Sequence, residues 1–134
     1  MRALLACVSL LALSGSSAGC MIPAGGNDCV CTLEYRYITV KVVDGAGAPV
    51  NGLAPTLTLV RTGQVFTPKG NNFGNTYVVL TDGDAGLIRP DGDVIHFAAS
   101  NSAGSVQADF TIGLTTPCDC HVLRMSGPEQ IVLQ

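Results

Sequence analysis

The 134-residue chain contains no tryptophan, only two histidines, and only 7 Lys and Arg against 10 Asp and Glu. With a net charge of −3 at pH 7 and no basic run, it offers nothing to attract a nucleic-acid backbone, so no nucleic-acid partner is expected. Aromatic residues make up 5% of the chain, and without Trp any stacking on sugar rings would fall to Tyr35, Tyr37 and Tyr77. Charged residues reach only 13% while hydrophobic ones reach 47%, a balance too apolar and too weakly charged for a disordered chain. No window of a dozen residues carries a capped apolar stripe at helical spacing, so helices are not expected to organise the fold. The 11-residue apolar stretch 3–13 also falls short of the roughly 20 residues that a bilayer-spanning helix needs.

What is present begins with a leader. Met1 and Arg2 give a positive start, residues 3–13 (ALLACVSLLAL) form an apolar core, and residues 14–19 (SGSSAG) are small and polar, which together read as a secretory signal peptide over 1–19. Ser16-Ser17-Ala18 offers small residues to an ordinary signal peptidase, whereas Ser17-Ala18-Gly19-Cys20 resembles the lipobox of bacterial lipoproteins, with Ser17 where that motif usually begins with Leu. Of six cysteines, Cys7 would leave with the leader, and the five that remain are Cys20, Cys29, Cys31, Cys118 and Cys120. An odd number in an exported chain leaves one thiol to explain. The last four form two Cys-X-Cys pairs, so the leftover is Cys20, where a lipid thioether would cap it. Lipidation of Cys20 is therefore expected, against the alternative of an ordinary terminal cysteine, free or paired between molecules. Met21 follows, with no Asp at that position to signal inner-membrane retention, so the expected destination is the outer membrane or cell surface, or the periplasm without the lipid. Residues 20–28, with MIPAGGND after the cysteine, read as a flexible, lipid-anchored tether, and the folded domain is expected over 29–134.

Within that domain, residues 35–43 (YRYITVKVV) alternate Ile38, Val40 and Val42 with Tyr37, Thr39 and Lys41, the period of a strand with one buried and one wet face. Residues 44–49 (DGAGAP) break it, and 56–61 resume the alternation with Leu57 and Leu59 inward. Further strands are expected over 64–67, 76–80, 93–99, 105–112 and 130–133, with Val106, Ala108, Phe110 and Ile112 as one inner face. About seven short strands with frequent turn signals predict an all-β, antiparallel β-sandwich. The segment 42–52 (VVDGAGAPVNG) resembles the V-x-D-x-x-G-x-P-V-x-G opening of carboxypeptidase regulatory-like and other transthyretin-like sandwich domains. Residues 75–79 and 92–100 look like the middle strands of that family, and Cys118-Asp119-Cys120-His121 followed by Gly127-Pro128 is similar to the end of its exported bacterial members. The resemblance covers most of 36–133. It implies an immunoglobulin-like (transthyretin-like) sandwich serving as a non-catalytic accessory or cell-surface module.

The paired Cys-X-Cys motifs are the sharpest chemical feature. Cysteines separated by one residue cannot easily bond each other, so the N-terminal pair should bond the C-terminal pair, as Cys29–Cys118 with Cys31–Cys120 or crossed. The competing reading is a metal site in which the four thiolates and His121 hold Zn²⁺ or Cu⁺, although structural zinc favours Cys-X-X-Cys spacing and export exposes thiols to oxidation. Asp82-Gly83-Asp84 and Asp91-Gly92-Asp93 place four carboxylates within twelve residues, which could suit Ca²⁺. Counted from Asp82, however, the sixth position is Leu87 and the twelfth Asp93, unlike an EF-hand, and Asp-Gly pairs commonly make turns. No catalytic residues are expected. His96 alternates with Ile95 and Phe97 on a strand, His121 adjoins a cysteine, Ser100, Ser102 and Ser105 lie in a loop without an elbow motif, and Glu34 and Glu129 sit near opposite ends of the domain. The reading that follows is a non-catalytic exported lipoprotein without cofactor, working as a structural or protein-interaction module at a bacterial envelope. A membrane would be its anchor, and an unknown protein or glycan its partner, met by the loops 67–75 and 82–92. The alternative is a small exported metal-binding protein.

Overall fold

The computed structural model describes residues 29–134, so the expected leader, Cys20 and its lipid, and the tether 20–28 lie outside the described residues. Eight strands follow in order: β1 (Tyr37–Val43), β2 (Ala54–Leu59), β3 (Gln64–Phe66), β4 (Thr76–Thr81), β5 (Asp93–Asn101), β6 (Gly104–Leu114), β7 (Val122–Ser126) and β8 (Gln130–Val132). A 3-10 turn over Asp82–Leu87 joins β4 to β5. The strands form two sheets, ordered β4-β1-β8 and β3-β2-β5-β6-β7. Their inner faces pack together as in a sandwich. Val40, Val42, Tyr77 and Leu80 from the smaller sheet meet Leu57, Ile95, Phe97, Phe110 and Ile112 from the larger. The alternation read in the sequence gives this directly: Ile38, Val40 and Val42 are buried, as are Leu57 and Leu59. Phe97 lies between Tyr77 and Phe110, with ring centroids 6.3 and 6.4 Å away. The buried Tyr77 hydroxyl accepts from the Leu53 amide at 3.1 Å and donates to the Val50 carbonyl at 3.0 Å, fixing the crossing between sheets.

Three features depart from the expected pattern. First, β7 is an additional strand: Val122 is buried and Arg124 is half-buried with its guanidinium over the Phe110 ring, while Leu123 and Met125 face outward. An apolar face turned to solvent and a cation turned inward invert the usual signal, which is why the periodicity did not reveal it. Second, the sheets are not purely antiparallel. β8 runs parallel to β1, with Lys41, Val42 and Val43 opposite Gln130, Ile131 and Val132. Third, β4 is an edge strand that is buried on both faces. Loop 67–75 lies over it: the Asn72 side chain accepts from the Val78 amide at 2.9 Å, and Gly70 packs on Thr81, Tyr37 and Val78. Loop 67–75 thereby covers an edge that would otherwise invite strand pairing. Gly127, between β7 and β8, has φ +120°, and a Cβ there would stand 2.5 Å from the Phe110 ring.

Candidate functional site

The residues of chemical interest converge where the first described segment meets the turn before β7. Cys29 bonds Cys118 and Cys31 bonds Cys120, with Cα separations of 5.2 and 5.6 Å, so the two bridges run in register and the crossed pairing is not the one formed. Each closes a sequence separation of 89 residues. Joined in this way, the four sulfurs present no thiolate to a metal ion.

His121, next to Cys120, is 7% exposed. Its Nδ1 is 2.7 Å from Asp82 Oδ2 and its Nε2 is 2.9 Å from the Thr32 hydroxyl. The Arg36 amide also donates to Oδ2 and the Val122 amide donates to Oδ1, both at 2.8 Å. Burial pushes the Asp82 carboxyl up, but the His121 imidazole and these two amides outweigh it and hold the group below its ordinary 3.8. A carboxylate can only accept, so Nδ1 carries a proton and, in the neutral ring, Nε2 accepts from Thr32. The order hydroxyl, imidazole, carboxylate is that of a nucleophilic relay. In this position it also ties three separate segments together, since Thr32 and Arg36 precede β1, Asp82 directly follows β4, and His121 directly precedes β7, which Val122 opens. Tyr35 completes the junction: its hydroxyl is 3.0 Å from Thr81 Oγ1 and accepts from the Gly83 amide at 3.0 Å. A Cβ on Gly83 would lie 2.6 Å from that hydroxyl, so glycine allows the tyrosine to close over the turn.

The four carboxylates read as a possible calcium loop are separated by the fold. Asp82 serves the junction. Asp84, 3% exposed, accepts from Thr81 Oγ1 at 2.8 Å, the Thr81 amide at 3.1 Å and the Lys69 amide at 3.0 Å, which closes the 3-10 turn against loop 67–75. Asp93 takes two bonds from the Arg61 guanidinium, at 2.8 and 3.1 Å, and one from the Arg89 amide at 2.9 Å. The Arg61 hydrogen bond, against the opposing effect of burial and aided by the Arg89 amide, holds its carboxyl below 3.8. Asp91 is exposed. Among the described residues, no group of three or more His, Cys, Asp or Glu side chains is arranged to hold a metal ion. Segment 82–92 opens with the 3-10 turn Asp82–Leu87, and its Asp82 and Asp84 side chains bond to residues outside the segment.

Other sequence candidates lie apart. His96 is half-exposed on the outer face of the larger sheet, its Nδ1 2.6 Å from Asp109 Oδ1 on the neighbouring strand. Glu34 pairs with Arg36 at 2.9 Å, while Glu129 lends its carbonyl to the Lys41 amide. Ser100 and Ser105 face each other across the β5–β6 hairpin. Sequence reasoning overlooked the partnership of Thr32, Asp82 and His121, whose members are 39 and 89 residues apart. The one available signal was His121 following a bridged cysteine, which carries its imidazole to wherever that bridge is anchored. Compared with protein-family models, with curated proteins and with solved structures, the chain matches none.

Proposed function

We propose that the protein is an exported, lipid-anchored bacterial lipoprotein whose domain is a non-catalytic, transthyretin-like sandwich acting as a structural or protein-interaction module at the cell envelope. The observation that carries this reading is the pair of in-register disulfides, Cys29–Cys118 and Cys31–Cys120. They use all four cysteines of the two Cys-X-Cys motifs and leave Cys20 as the one thiol of the mature chain for a lipid. Disulfides suit an oxidising, exported setting. The V-x-D-x-x-G-x-P-V-x-G resemblance of 42–52 supports the family, and the engagement of Asp82 and His121 in fastening three segments supports a structural role for that relay.

Intact mass of the protein from the native membrane fraction, with and without reductant, tests the reading. The expected result is the chain from Cys20 onward plus acyl chains, rising by about 4 Da on reduction as two disulfides each take up two hydrogens. A mass without acyl chains, or one unchanged by reductant, would remove the basis for it.

A further inference from the structure

Val30 and Leu33 belong to a segment fastened on both sides of them, yet they reach away from the protein. Cys29 and Cys31 are bridged to the turn before β7, Thr32 bonds His121 and the Arg36 amide bonds Asp82, while Val30 is 84% and Leu33 105% exposed. The bridges at Cys29 and Cys31 and the bonds at Thr32 and Arg36 hold the backbone on either side of Val30 and Leu33, which stops these side chains from folding back onto the domain. Water is therefore a lasting cost for these two residues rather than a passing one. Leu123 is also exposed and borders a groove shared with Glu34, Arg36 and Arg124. The two nearest opposite charges, Glu34 and Arg36, neutralise each other at 2.9 Å, which leaves Asp119 as the exposed carboxylate of the adjoining turn.

This inference rests on the lipoprotein reading. Only residues 21–28 separate Cys20 from Cys29, a reach of about 30 Å at full stretch. An acylated Cys20 would hold this end of the domain near the bilayer. We infer that Val30 and Leu33 dock onto the lipid surface itself, entering the boundary between headgroups and acyl chains, so that the domain stands on the membrane instead of trailing from its tether. Two aliphatic side chains bind a bilayer weakly alone, but a short tether makes the contact intramolecular and keeps its effective concentration high.

Because the chain has no tryptophan, a single Trp reports its own surroundings. The lipidated Leu33→Trp protein, with its acylation verified by intact mass, is placed in neutral phosphatidylcholine vesicles with brominated acyl chains. Its emission is expected to lie to the blue of the Phe73→Trp control in either vesicle, and to fall about two-fold or more in brominated relative to unbrominated vesicles, as for a side chain seated at the acyl boundary. Phe73→Trp is the control. Phe73 is exposed beside Thr76 at the start of β4, the end away from Thr81 and the junction, and its emission should not change. Adding Val30→Asp to the Leu33→Trp protein should restore emission, with an unchanged thermal unfolding curve showing that the fold persists. Equal emission from both reporters in acylated protein overturns the docking and leaves the lipoprotein reading standing. Quenching that survives Val30→Asp also overturns the docking, and a mass without acyl chains at Cys20 overturns both.

Discussion

In the body of the domain, Tyr77, Phe97 and Phe110 are at most 1% exposed and hold the sheets together by burial, whereas at the N-terminal junction Val30, Leu33 and Tyr35 are open to water. The junction is held instead by two disulfides, a histidine, an aspartate and four hydrogen bonds to Asp82 and His121 side chains. Burial depends little on pH or redox state. The junction depends on both, whereas the body answers to acid through Asp93 and holds neither disulfide, so the two parts should differ most in their response to reductant.

The largest expected effect is at the junction. Replacing Cys29 and Cys31 by Ser removes both crosslinks, and for loops of this length the chain-entropy model gives a loss of about 4 to 5 kcal/mol, most of it from the first bridge. Denaturant unfolding of that double variant should show the loss, and an unchanged midpoint would mean that the bridges constrain little. A comparable but redox-independent loss is expected in the body, where Phe110→Ala removes a fully buried ring that packs on Phe97 and should cost about 3 to 5 kcal/mol. Measuring both variants with and without reductant separates the two regions: reductant should weaken the Phe110→Ala protein further and leave the cysteine variant almost unchanged.

Asp82→Asn is expected to cost about 1 to 3 kcal/mol, because an amide nitrogen would replace one of the oxygens that accept from the Arg36 and Val122 amides and His121. The ionised carboxylates also set an acid limit. Asp82 and Asp93 both have folded pKa values below their ordinary 3.8, so each contributes stability that is complete above that value. It shrinks as pH falls below 3.8 and is gone once pH passes below the folded values. Thermal unfolding followed from pH 6 to pH 2 should therefore fall on the acid side of about pH 4, and Asp82→Asn should flatten that decline. An equally steep decline in the variant would assign the acid limit to Asp93 and its arginines. The smallest effect is expected from Thr32→Val, which removes one hydrogen bond to His121 at a cost of about 1 kcal/mol. Amide exchange should then quicken near Cys31 and His121 and stay unchanged in β5 and β6.

The body was far more legible than the junction. In β1 and β2, Ile38, Val40, Val42, Leu57 and Leu59 announce their faces by simple alternation, and all are buried. In β7 the same rule misleads, because Arg124 turns inward onto the Phe110 ring and its guanidinium reaches the Thr39 carbonyl, while Leu123 and Met125 face out. The Asp-Gly pairs of 82–93 show the same limit. Composition placed four carboxylates close together, but Asp82, Asp84 and Asp93 turn to three different sets of donors.

From the sequence alone came an all-β chain, the strands that alternate cleanly, and the need for the two Cys-X-Cys motifs to meet. These follow from local periodicity and from counting, which need no knowledge of distant contacts. Only the tertiary structure decided that Cys29 bonds Cys118 and Cys31 bonds Cys120, that β8 runs parallel to β1, and that His121 sits between Thr32 and Asp82. Each of these joins segments tens of residues apart, and their meeting is set by how the two sheets pack rather than by any pattern within one segment.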